Sequence, residues 1–423
     1  MKTLIKKMVP EFVVEWYHYS LALVGAFRYG FPSRKLKVIG VTGTNGKSTT
    51  VSMIAKILEE GGHKVAVSSS LKFKIADKEW KNKSRMTMPG RFALQKLLHD
   101  AVAQKCRYAV IEVSSEGIKQ HRHRFIDFAV AAVTNVTAEH IEAHGTFENY
   151  MAAKGELFKA CKKVHIANLD DPNYGFFAKF EAETMYAYTI DGAKPGILGA
   201  AKVVRANDCQ ITGTGSTFNV EGMEFNLKLL GRFNIYNALA AVSVGLSQGV
   251  DLGACRDGLK KIEVIPGRME QVVANPFKVF IDYAVTPDSL EKAYQTMRSG
   301  IGSGSLIGVL GACGGGRDKW KRPVMGDLAK KYCDQVIVTN EDPYDESPIA
   351  IIDEIVSDDM KVVKIVDRRE AIREALRRAR TGDVILITGK GCEESMCVAG
   401  GKKIPWNDEK TVAEELAFLK GKK

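Results

Sequence analysis

A lysine among small residues, in the stretch "GVTGTNGKSTT" from Gly40 to Thr50, is the first candidate for chemistry in this sequence. An apolar run precedes it and a helix-like pattern follows it, which is the setting of a phosphate-binding loop. Backbone N–H groups and the positive end of a helix attract phosphate oxygens there. We predict that Lys47 reaches the β- and γ-phosphates of a nucleotide and that Ser48 binds its magnesium ion. The predicted loop residues are Gly43, Thr44, Asn45, Gly46, Lys47, Ser48 and Thr49.

Two further residues are candidates for a magnesium site. Glu112 ends the apolar run "YAVIEVSS", and ligands of α/β proteins gather at the ends of such strands. A carboxylate there offers the hard oxygen that Mg²⁺ prefers, although a solvated surface carboxylate fits the pattern too. His140 follows the apolar run "AAVTNV" in the same way, with a structural hydrogen-bonding role as the alternative.

Lys154 is unusual because it lies on the apolar stripe of the predicted helix "FENYMAAKGELFKA". Its neighbours at helical spacing are Phe147, Tyr150, Met151, Leu157 and Phe158. Apolar burial lowers the pKa of a lysine and exposes a neutral, nucleophilic amine, which can add CO₂ to form a carbamate that ligates metal. A lysine that extends from the helix edge into solvent is the alternative.

Composition limits the classes of function. A chain of 423 residues exceeds what one hydrophobic core usually supports, so two or three domains are expected. The net charge of +11 is scattered rather than grouped, which favours a phosphorylated small molecule over nucleic acid, with solubility alone as the alternative. Eight dispersed cysteines without a CxxC pair indicate a reducing compartment, and we expect a cytoplasmic protein.

The N-terminal segment is apolar but too short to span a membrane. Only Trp16 to Phe27 is free of charge, whereas a spanning helix needs about 20 residues. Lys2, Lys6 and Lys7 precede it. An amphipathic helix packed on the protein and a helix that lies in a membrane interface both fit this pattern.

The remaining pattern predicts an α/β protein in three parts. After an N-terminal segment (1–36), apolar runs alternate with helical stretches, as in a mostly parallel sheet covered by helices, and end in a β-rich edge from Lys202 to Leu230. Pro266 and Gly267 mark a break, so we predict a central ATP-binding domain over 37–265. A Rossmann-like α/β domain is predicted over 266–423.

Taken together, the motifs resemble those of the Mur ligase family, and within it the MurE type. They occur in the family's order from about Lys37 to the C-terminus, and they are "GTNGKST", "EVSSEGIKQHR", "TNVTAEHIEAHGTFENYMAAKGELF", "GRFNIYNALAA", "PGRMEQV", "DYAVTPDSLEKA", "GACGGGRDKWKRPVMG" and "GKGCEES". The resemblance implies an ATP- and Mg²⁺-dependent amide ligase that activates a carboxylate as an acyl phosphate. It also implies a P-loop central domain, a muramoyl-dipeptide acceptor, a free amino acid as second substrate, and a monomer.

The resemblance assigns roles by motif position. It implies that Ser48 and Glu112 hold one Mg²⁺, and that His140 and carbamylated Lys154 hold a second. The nucleotide residues beyond the loop are then Asn237, Arg268 and Asp282. The acceptor residues are Thr87, Ser114, Gln120 and Arg122. The residues for the incoming amino acid are Arg317, Glu341, Asp342, Pro343, Tyr344, Gly389 and Glu393.

Three departures from the family pattern affect the substrate prediction. Tyr344 replaces the arginine with which diaminopimelate-adding members bind a second carboxylate, and Asp345 and Glu346 follow it, so we predict L-lysine or another diamino acid. Val285 and Cys392 stand where histidine is common. The family's N-terminal UDP-binding domain has no counterpart here, so uridine recognition is expected to differ.

Three alternatives stay open at this point. A MurT-like ligase could act on a lipid-linked precursor, although the cysteine-rich zinc insertion of that type is missing. A folylpolyglutamate synthetase shares the ATPase core. An ATP-binding scaffold without catalysis is the third, and Val285 favours it mildly.

Overall fold

The computed structural model describes residues 10–84, 86–192, 201–357 and 362–421. The strands are β1 (Lys37–Thr42), β2 (Val65–Ser68), β3 (Lys72–Ile75), β4 (Lys78–Lys81), β5 (Tyr108–Glu112), β6 (Phe128–Val133), β7 (Val164–Asn168), β8 (Thr184–Thr189), β9 (Lys202–Arg205), β10 (Asn207–Thr212), β11 (Gly215–Val220), β12 (Met223–Leu227), β13 (Glu270–Val273), β14 (Lys278–Asp282), β15 (Leu306–Leu310), β16 (Gln335–Thr339), β17 (Val363–Ile365), β18 (Val384–Thr388), β19 (Ser395–Val398) and β20 (Lys402–Pro405).

The α-helices are α1 (Glu11–Arg28), α2 (Lys47–Glu60), α3 (Arg91–Ala103), α4 (Ser115–Lys119), α5 (Ile141–His144), α6 (Phe147–Ala160), α7 (Tyr174–Phe177), α8 (Arg232–Ser247), α9 (Leu252–Lys260), α10 (Pro287–Gly300), α11 (Lys321–Tyr332), α12 (Pro348–Ile355), α13 (Arg368–Arg378) and α14 (Asp408–Gly421). Short 3₁₀-helices cover Pro32–Lys35 and Ala399–Gly401.

The first large sheet has nine strands in the order β4-β3-β2-β5-β1-β6-β7-β8-β9. The neighbours from β2 through β5 to β9 pair in parallel, and the two remaining pairs, β2–β3 and β3–β4, are antiparallel. The central strands are buried throughout because helices cover both faces, which is why they appear in the sequence as continuous apolar runs. The prediction of a mostly parallel sheet is confirmed.

The predicted β-rich edge is present with one difference. Strands β10, β11 and β12 form an antiparallel three-stranded sheet, as the alternating pattern indicates. Strand β9 lies within the same predicted hairpin region but pairs in parallel with β8 at the edge of the large sheet. Four residues are too few for their periodicity to show the direction of pairing.

The second large sheet has six strands in the order β13-β14-β18-β15-β16-β17. Its five strands from β14 to β17 pair in parallel, and β13 joins the edge antiparallel. Helices α10, α11 and α12 cover one face and α13 and α14 the other, with separate apolar clusters on each side. This is the predicted Rossmann-like α/β unit, while the domain bounds 37–265 and 266–423 stay predictions.

The N-terminal helix α1 packs on α3 through small residues. Ala22 and Ala26 are buried, and Gly25 approaches the backbone of Arg91 and Phe92. The predicted segment 1–36 begins with Lys2, Lys6 and Lys7, which lie outside the described residues. Among the described residues, no helix is both long enough and apolar enough to cross a membrane.

The parallel registers bring the predicted site residues to shared sheet edges. Val41 pairs with Glu112, so the phosphate loop that follows β1 lies beside the carboxylate at the end of β5. Asp282 pairs with Thr388 at the end of the second sheet, next to Gly389. Residues from both edges line one cleft. This agrees with the rule that ligand-binding residues of open α/β sheets collect at the carboxyl ends of the strands.

Candidate active site

The phosphate loop is held in shape by side chains of a neighbouring loop. Asn135 accepts from the Asn45 backbone N–H at 3.0 Å and donates to the Asn45 carbonyl at 3.0 Å. Its own carbonyl accepts from the Thr44 N–H at 2.8 Å. The N–H groups of Thr44 and Asn45 are therefore occupied, and those of the first turn of α2, which have no helical partner, are the ones available to a phosphate.

The glycines of this loop permit close approach. Gly43 and Gly46 have φ values of 141° and 82°. An added Cβ would lie 1.9 Å from Thr134 Oγ1 at Gly43 and 2.3 Å from Asn237 Oδ1 at Gly46. Larger residues are excluded at both positions by sterics and by backbone conformation.

Lys47 and Ser48 occupy the positions that the motif predicts. Lys47 Nζ donates to the carbonyls of Gly43 and Thr44 at 3.0 and 2.9 Å, and burial lowers its pKa. Ser48 Oγ donates to Glu112 Oε2 at 3.0 Å. Ser70, which sequence reasoning missed, donates to the same oxygen through its backbone N–H at 2.8 Å and its hydroxyl at 3.1 Å. These bonds hold the Glu112 carboxylate against the loop.

Lys154 is buried beneath the phosphate loop. Its Nζ atom donates to the Gly43 carbonyl at 2.8 Å and lies 4.2 Å from the centre of the Tyr150 ring. Its pKa is well below the ordinary value, first because the group is buried and second because Lys47 carries a like charge nearby. Within the described part of the chain, no carboxylate lies within ion-pair distance of this ammonium. The alternative of a lysine that extends into solvent is excluded, since only 1% of the residue is exposed.

His140 lies near the same tyrosine. Its ring centre is 5.9 Å from that of Tyr150, and its backbone is left-handed (φ 58°) at the start of α5. Burial, followed by the charge of Arg317, lowers the pKa of His140 to about 3. The imidazole is therefore neutral at physiological pH, which is the form that binds metal.

The three remaining nucleotide candidates approach from α8 and from the second sheet. Asn237 accepts from Thr50 Oγ1 at 3.3 Å beside the phosphate loop. Arg268 stacks over the Tyr283 ring at 4.5 Å. Asp282 accepts from the Met269 N–H at 2.7 Å, and burial raises its pKa to about 6. All three candidates line the cleft.

The four acceptor candidates gather at one end of the cleft. Ser114 caps α4 by accepting from the Gly117 N–H at 3.1 Å. Arg122 donates to Gln120 Oε1 at 2.7 Å and to the carbonyl of Met88. Thr87 lines the same wall.

The amino-acid candidates surround a buried lysine that sequence reasoning passed over. Lys390 Nζ donates to Asp342 Oδ1 at 2.8 Å and also to a carboxylate oxygen of Glu393. Arg317, Glu341 and Tyr344 line the cleft together with both carboxylates, while Pro343 and Gly389 lie behind it. The motif "GKGCEES" contains Lys390, but nothing local shows that it bonds to Asp342, which is 48 positions away.

The acidic residues after Tyr344 have partners of their own. Glu346 accepts from buried Arg322 at 3.0 Å, and Lys319 lies 3.2 Å from it. Asp345 Oδ1 accepts from the Gly400 N–H at 2.7 Å. These carboxylates are therefore already neutralised or bonded, which removes part of the argument for an acidic pocket around the incoming side chain.

Contacts between the two large units close the cleft around these groups. Lys321 Nζ donates to Glu139 Oε1 at 2.8 Å, and both side chains are buried. Asn45 Nδ2 donates to Asp288 Oδ2 at 3.0 Å across the same boundary. The cleft between the units has a volume of about 2140 Å³, which can hold a nucleotide and two further substrates together.

Comparison with known protein families identifies both units. The Mur ligase middle domain matches residues 41–245, and the Mur ligase, glutamate ligase domain matches residues 267–391. The chain is 40% identical over 417 residues to the UDP-N-acetylmuramoyl-L-alanyl-D-glutamate--2,6-diaminopimelate ligase of Syntrophomonas wolfei, covering 95% of this chain and 82% of the relative. It is 37% identical over 438 residues to the UDP-N-acetylmuramyl-tripeptide synthetase of Roseiflexus sp., covering 97% and 84%.

Solved structures agree with this assignment. A UDP-N-acetylmuramoyl-L-alanyl-D-glutamate--2,6-diaminopimelate ligase structure matches with a TM-score of 0.61 at 29% identity, covering 91% of this chain and 79% of that one. A MurF ligase from Thermotoga maritima in complex with ADP matches in fold with a TM-score of 0.68 at 19% identity, covering 96% and 84%. The chain belongs to the Mur ligase family, a family of ATP-dependent ligases.

Proposed function

We propose that this protein uses ATP to join a free diamino acid to the carboxylate of a muramoyl-L-alanyl-D-glutamate type acceptor. The observation that carries the proposal is the convergence of three groups of side chains on one cleft. These are the phosphate loop with Glu112, the acceptor candidates around Arg122, and the amino-acid candidates around Arg317. The names of the relatives support the same acceptor and a diamino acid.

The chemistry proceeds in two steps. A carboxylate has no leaving group at neutral pH, so an acceptor oxygen first attacks the γ-phosphorus, ADP departs, and an acyl phosphate forms. The amine of the second substrate then attacks the carbonyl carbon, the C–O bond to phosphate breaks, and the amine nitrogen loses a proton. In this proposal Lys47 stabilises the negative charge on the transferred phosphoryl group.

The donor set of the cleft fits magnesium. Ser48 Oγ and Glu112 Oε2 are hard oxygen atoms 3.0 Å apart beside the loop. Mg²⁺ usually takes one or two protein oxygens together with phosphate and water, and it neutralises phosphate charge when bound. That mode agrees with the described residues, among which no group of three or more His, Cys, Asp or Glu side chains forms a metal cluster.

The second proposed Mg²⁺ position consists of His140 and Lys154. An ammonium cannot ligate a cation, but the lowered pKa of buried Lys154 raises the fraction of neutral amine, which adds CO₂ and releases one proton. The resulting carbamate supplies two hard oxygen atoms close to the phosphate loop. It also replaces a positive charge next to Lys47 by a negative one, which relieves the repulsion between the two lysines.

For the second substrate we retain L-lysine or another diamino acid. Tyr344 lacks the guanidinium that the family resemblance associates with a second carboxylate. Several relatives are nevertheless named for 2,6-diaminopimelate, itself a diamino acid. In this arrangement Arg317 binds the α-carboxylate, and Glu393, held by Lys390, faces the amine.

Acceptor-dependent phosphate release tests the proposal. Purified protein, ATP and Mg²⁺ are combined with each diamino acid and with either UDP-linked or lipid-linked muramoyl dipeptide, and phosphate and product mass are measured. We expect phosphate release only when acceptor and amino acid are both present, and none from Lys47→Ala. Activity with a folyl acceptor, or ATP binding without turnover under any combination, would reject the proposed function.

A further inference from the structure

The helix α1 turns an aromatic and aliphatic face outward rather than toward the protein. Phe12, Trp16, Tyr19, Leu23 and Phe27 follow one another at helical spacing along one stripe. Trp16 and Phe27 are 73% and 77% exposed. Val13, Tyr17 and Val24 flank the stripe and are exposed as well, so the apolar surface is continuous along the helix.

The side of α1 that packs on the protein carries small residues, so the large apolar residues are not part of the hydrophobic core. Ala22 and Ala26 are buried, and the small Gly25 lets the helix backbone approach α3. The helix is therefore anchored through its small residues while its large apolar residues face solvent. Contiguous exposed apolar surface of this kind marks an interaction site in soluble folds.

Charge around the face favours an anionic surface. Residues 1–36 contain six basic side chains and two acidic ones. Arg28 ends α1, and exposed Arg34 and Lys35 follow it, with Arg34 3.7 Å from Asp127. Lys2, Lys6 and Lys7 precede the helix in the sequence and lie outside the described residues. An excess of basic residues in the sequence around an apolar helix is the pattern of helices that lie on membranes with anionic lipids.

The composition of the face also favours lipid over a second copy of the chain. Trp and Tyr prefer the boundary between headgroups and acyl chains, where the ring is apolar and its N–H or O–H remains hydrated. A contact between two copies would have to bury these polar groups as well, which costs free energy unless each finds a partner.

We propose that α1 is an interfacial helix that binds the surface of an anionic lipid bilayer through the stripe Phe12, Trp16, Tyr19, Leu23 and Phe27. The helix lies in the plane of the membrane, since it is too polar at its ends to span it.

The position of α1 places the membrane next to one end of the cleft. The Tyr19 ring lies 5.1 Å from that of Phe125 and 6.0 Å from that of His121. These residues belong to the segment that carries Gln120 and Arg122, the acceptor candidates. The placement of the membrane beside the acceptor candidates rests on the proposed function, whereas the proposal that α1 binds a membrane does not.

Vesicle flotation with the full chain tests the proposal. Vesicles of phosphatidylcholine alone are compared with vesicles that contain phosphatidylglycerol, at low and high salt and without substrates. The stripe variant Phe12→Ser/Trp16→Ser/Phe27→Ser removes the three most exposed members of the stripe, and Ile349→Ser/Ile404→Ser/Phe418→Ser removes exposed apolar residues elsewhere as the matched control. We expect flotation with the anionic vesicles, weakened by salt, and a loss of about ten-fold or more in binding only for the stripe variant.

The remaining outcomes overturn the proposal. The first is that the wild-type protein does not float with anionic vesicles at low salt. The second is that the stripe variant binds the vesicles as well as the wild type does. The third is that the wild type binds no vesicles and is a dimer, which the stripe variant converts to a monomer. Circular dichroism melting checks that the variants fold. Turnover of water-soluble substrates by the stripe variant is measured separately, so a failure of membrane binding is distinguished from a failure of the proposed ligase function.

Discussion

Lys154 Nζ donates a 2.8 Å hydrogen bond to the carbonyl oxygen of Gly43, the residue with which the phosphate loop begins. Two lysines therefore contact the same carbonyl, since Lys47 Nζ lies 3.0 Å from it. Like charges so close together, in a buried setting, favour loss of a proton from the more deeply buried group. This relationship makes Lys154 the most informative residue for mutation.

Replacing Lys154 should abolish most of the turnover. In Lys154→Ala neither a carbamate nor the bond to Gly43 can form, so we expect kcat to fall about 100-fold or more. Added bicarbonate should not restore activity to this variant, because no amine remains at the site. Lys159→Ala, on the exposed side of the same helix, serves as the control and should retain wild-type turnover. Full activity of Lys154→Ala would reject the carbamate.

The buried ion pair between Lys321 and Glu139 should stabilise the contact between the two units. Lys321→Met leaves the Glu139 carboxylate buried without its partner, at a cost of about 3–5 kcal/mol in the free energy of unfolding. Urea denaturation measures this change. Lys319→Met, which removes an exposed partner of Glu346, should cost at most about 1 kcal/mol. The double variant Lys321→Met/Glu139→Gln should recover part of the stability that Lys321→Met loses. Equal losses of stability in Lys321→Met and Lys319→Met would contradict the argument.

Tyr344 should influence the choice of amino acid. Tyr344→Arg introduces a guanidinium for a second carboxylate, so the ratio of kcat/KM for diaminopimelate over L-lysine should rise about 10-fold or more. Competition between the two amino acids, with product masses measured, gives this ratio directly. Tyr344→Phe controls for loss of the hydroxyl and should leave the ratio near that of the wild type. No shift for the arginine variant would reject a specificity role for this position.

Asp282 should make stability depend on pH. Burial raises the pKa of its carboxyl from 3.8 to about 6, so the folded protein holds the proton more tightly than the unfolded chain. The protonated Asp282 carboxyl therefore stabilises the folded protein fully below about pH 4, and this stabilisation is lost as the pH rises through about 6. Asparagine has no such proton, so between pH 4 and 7 the stability of Asp282→Asn relative to wild type should improve by about 2 kcal/mol.

Denaturation curves across this range provide the measurement for Asp282. Asp257→Asn is the control, because the side-chain bond with exposed Arg256 lowers the pKa of that carboxyl. The relative stability of this control should change little over this range, because a carboxyl whose pKa is lowered from 3.8 is ionised in both the folded and the unfolded chain above about pH 5. A pH-independent difference for Asp282→Asn would show that its carboxyl is not perturbed.

Local patterns determined much of this protein from the sequence alone. Continuous apolar runs predicted the mostly parallel sheets, because buried strands need apolar residues on both faces. The spacing of Gly43, Gly46, Lys47 and Ser48 predicted the phosphate loop, since a tight turn before a helix requires those residue types. The apolar neighbours of Lys154 placed it on the apolar stripe of a helix but left burial and extension into solvent both open, and the structure shows that it is buried.

The tertiary structure decided what depends on distant residues. Asn135 shapes a loop 90 positions away, and Lys390 bonds to Asp342 across 48 positions. The apolar pattern of α1 could not show which side chains the helix buries, whereas the structure packs Ala22 and Ala26 against the protein and leaves Trp16 and Phe27 exposed. The physical reason is that periodicity shows which residues share a face, whereas only chain folding determines what each face meets.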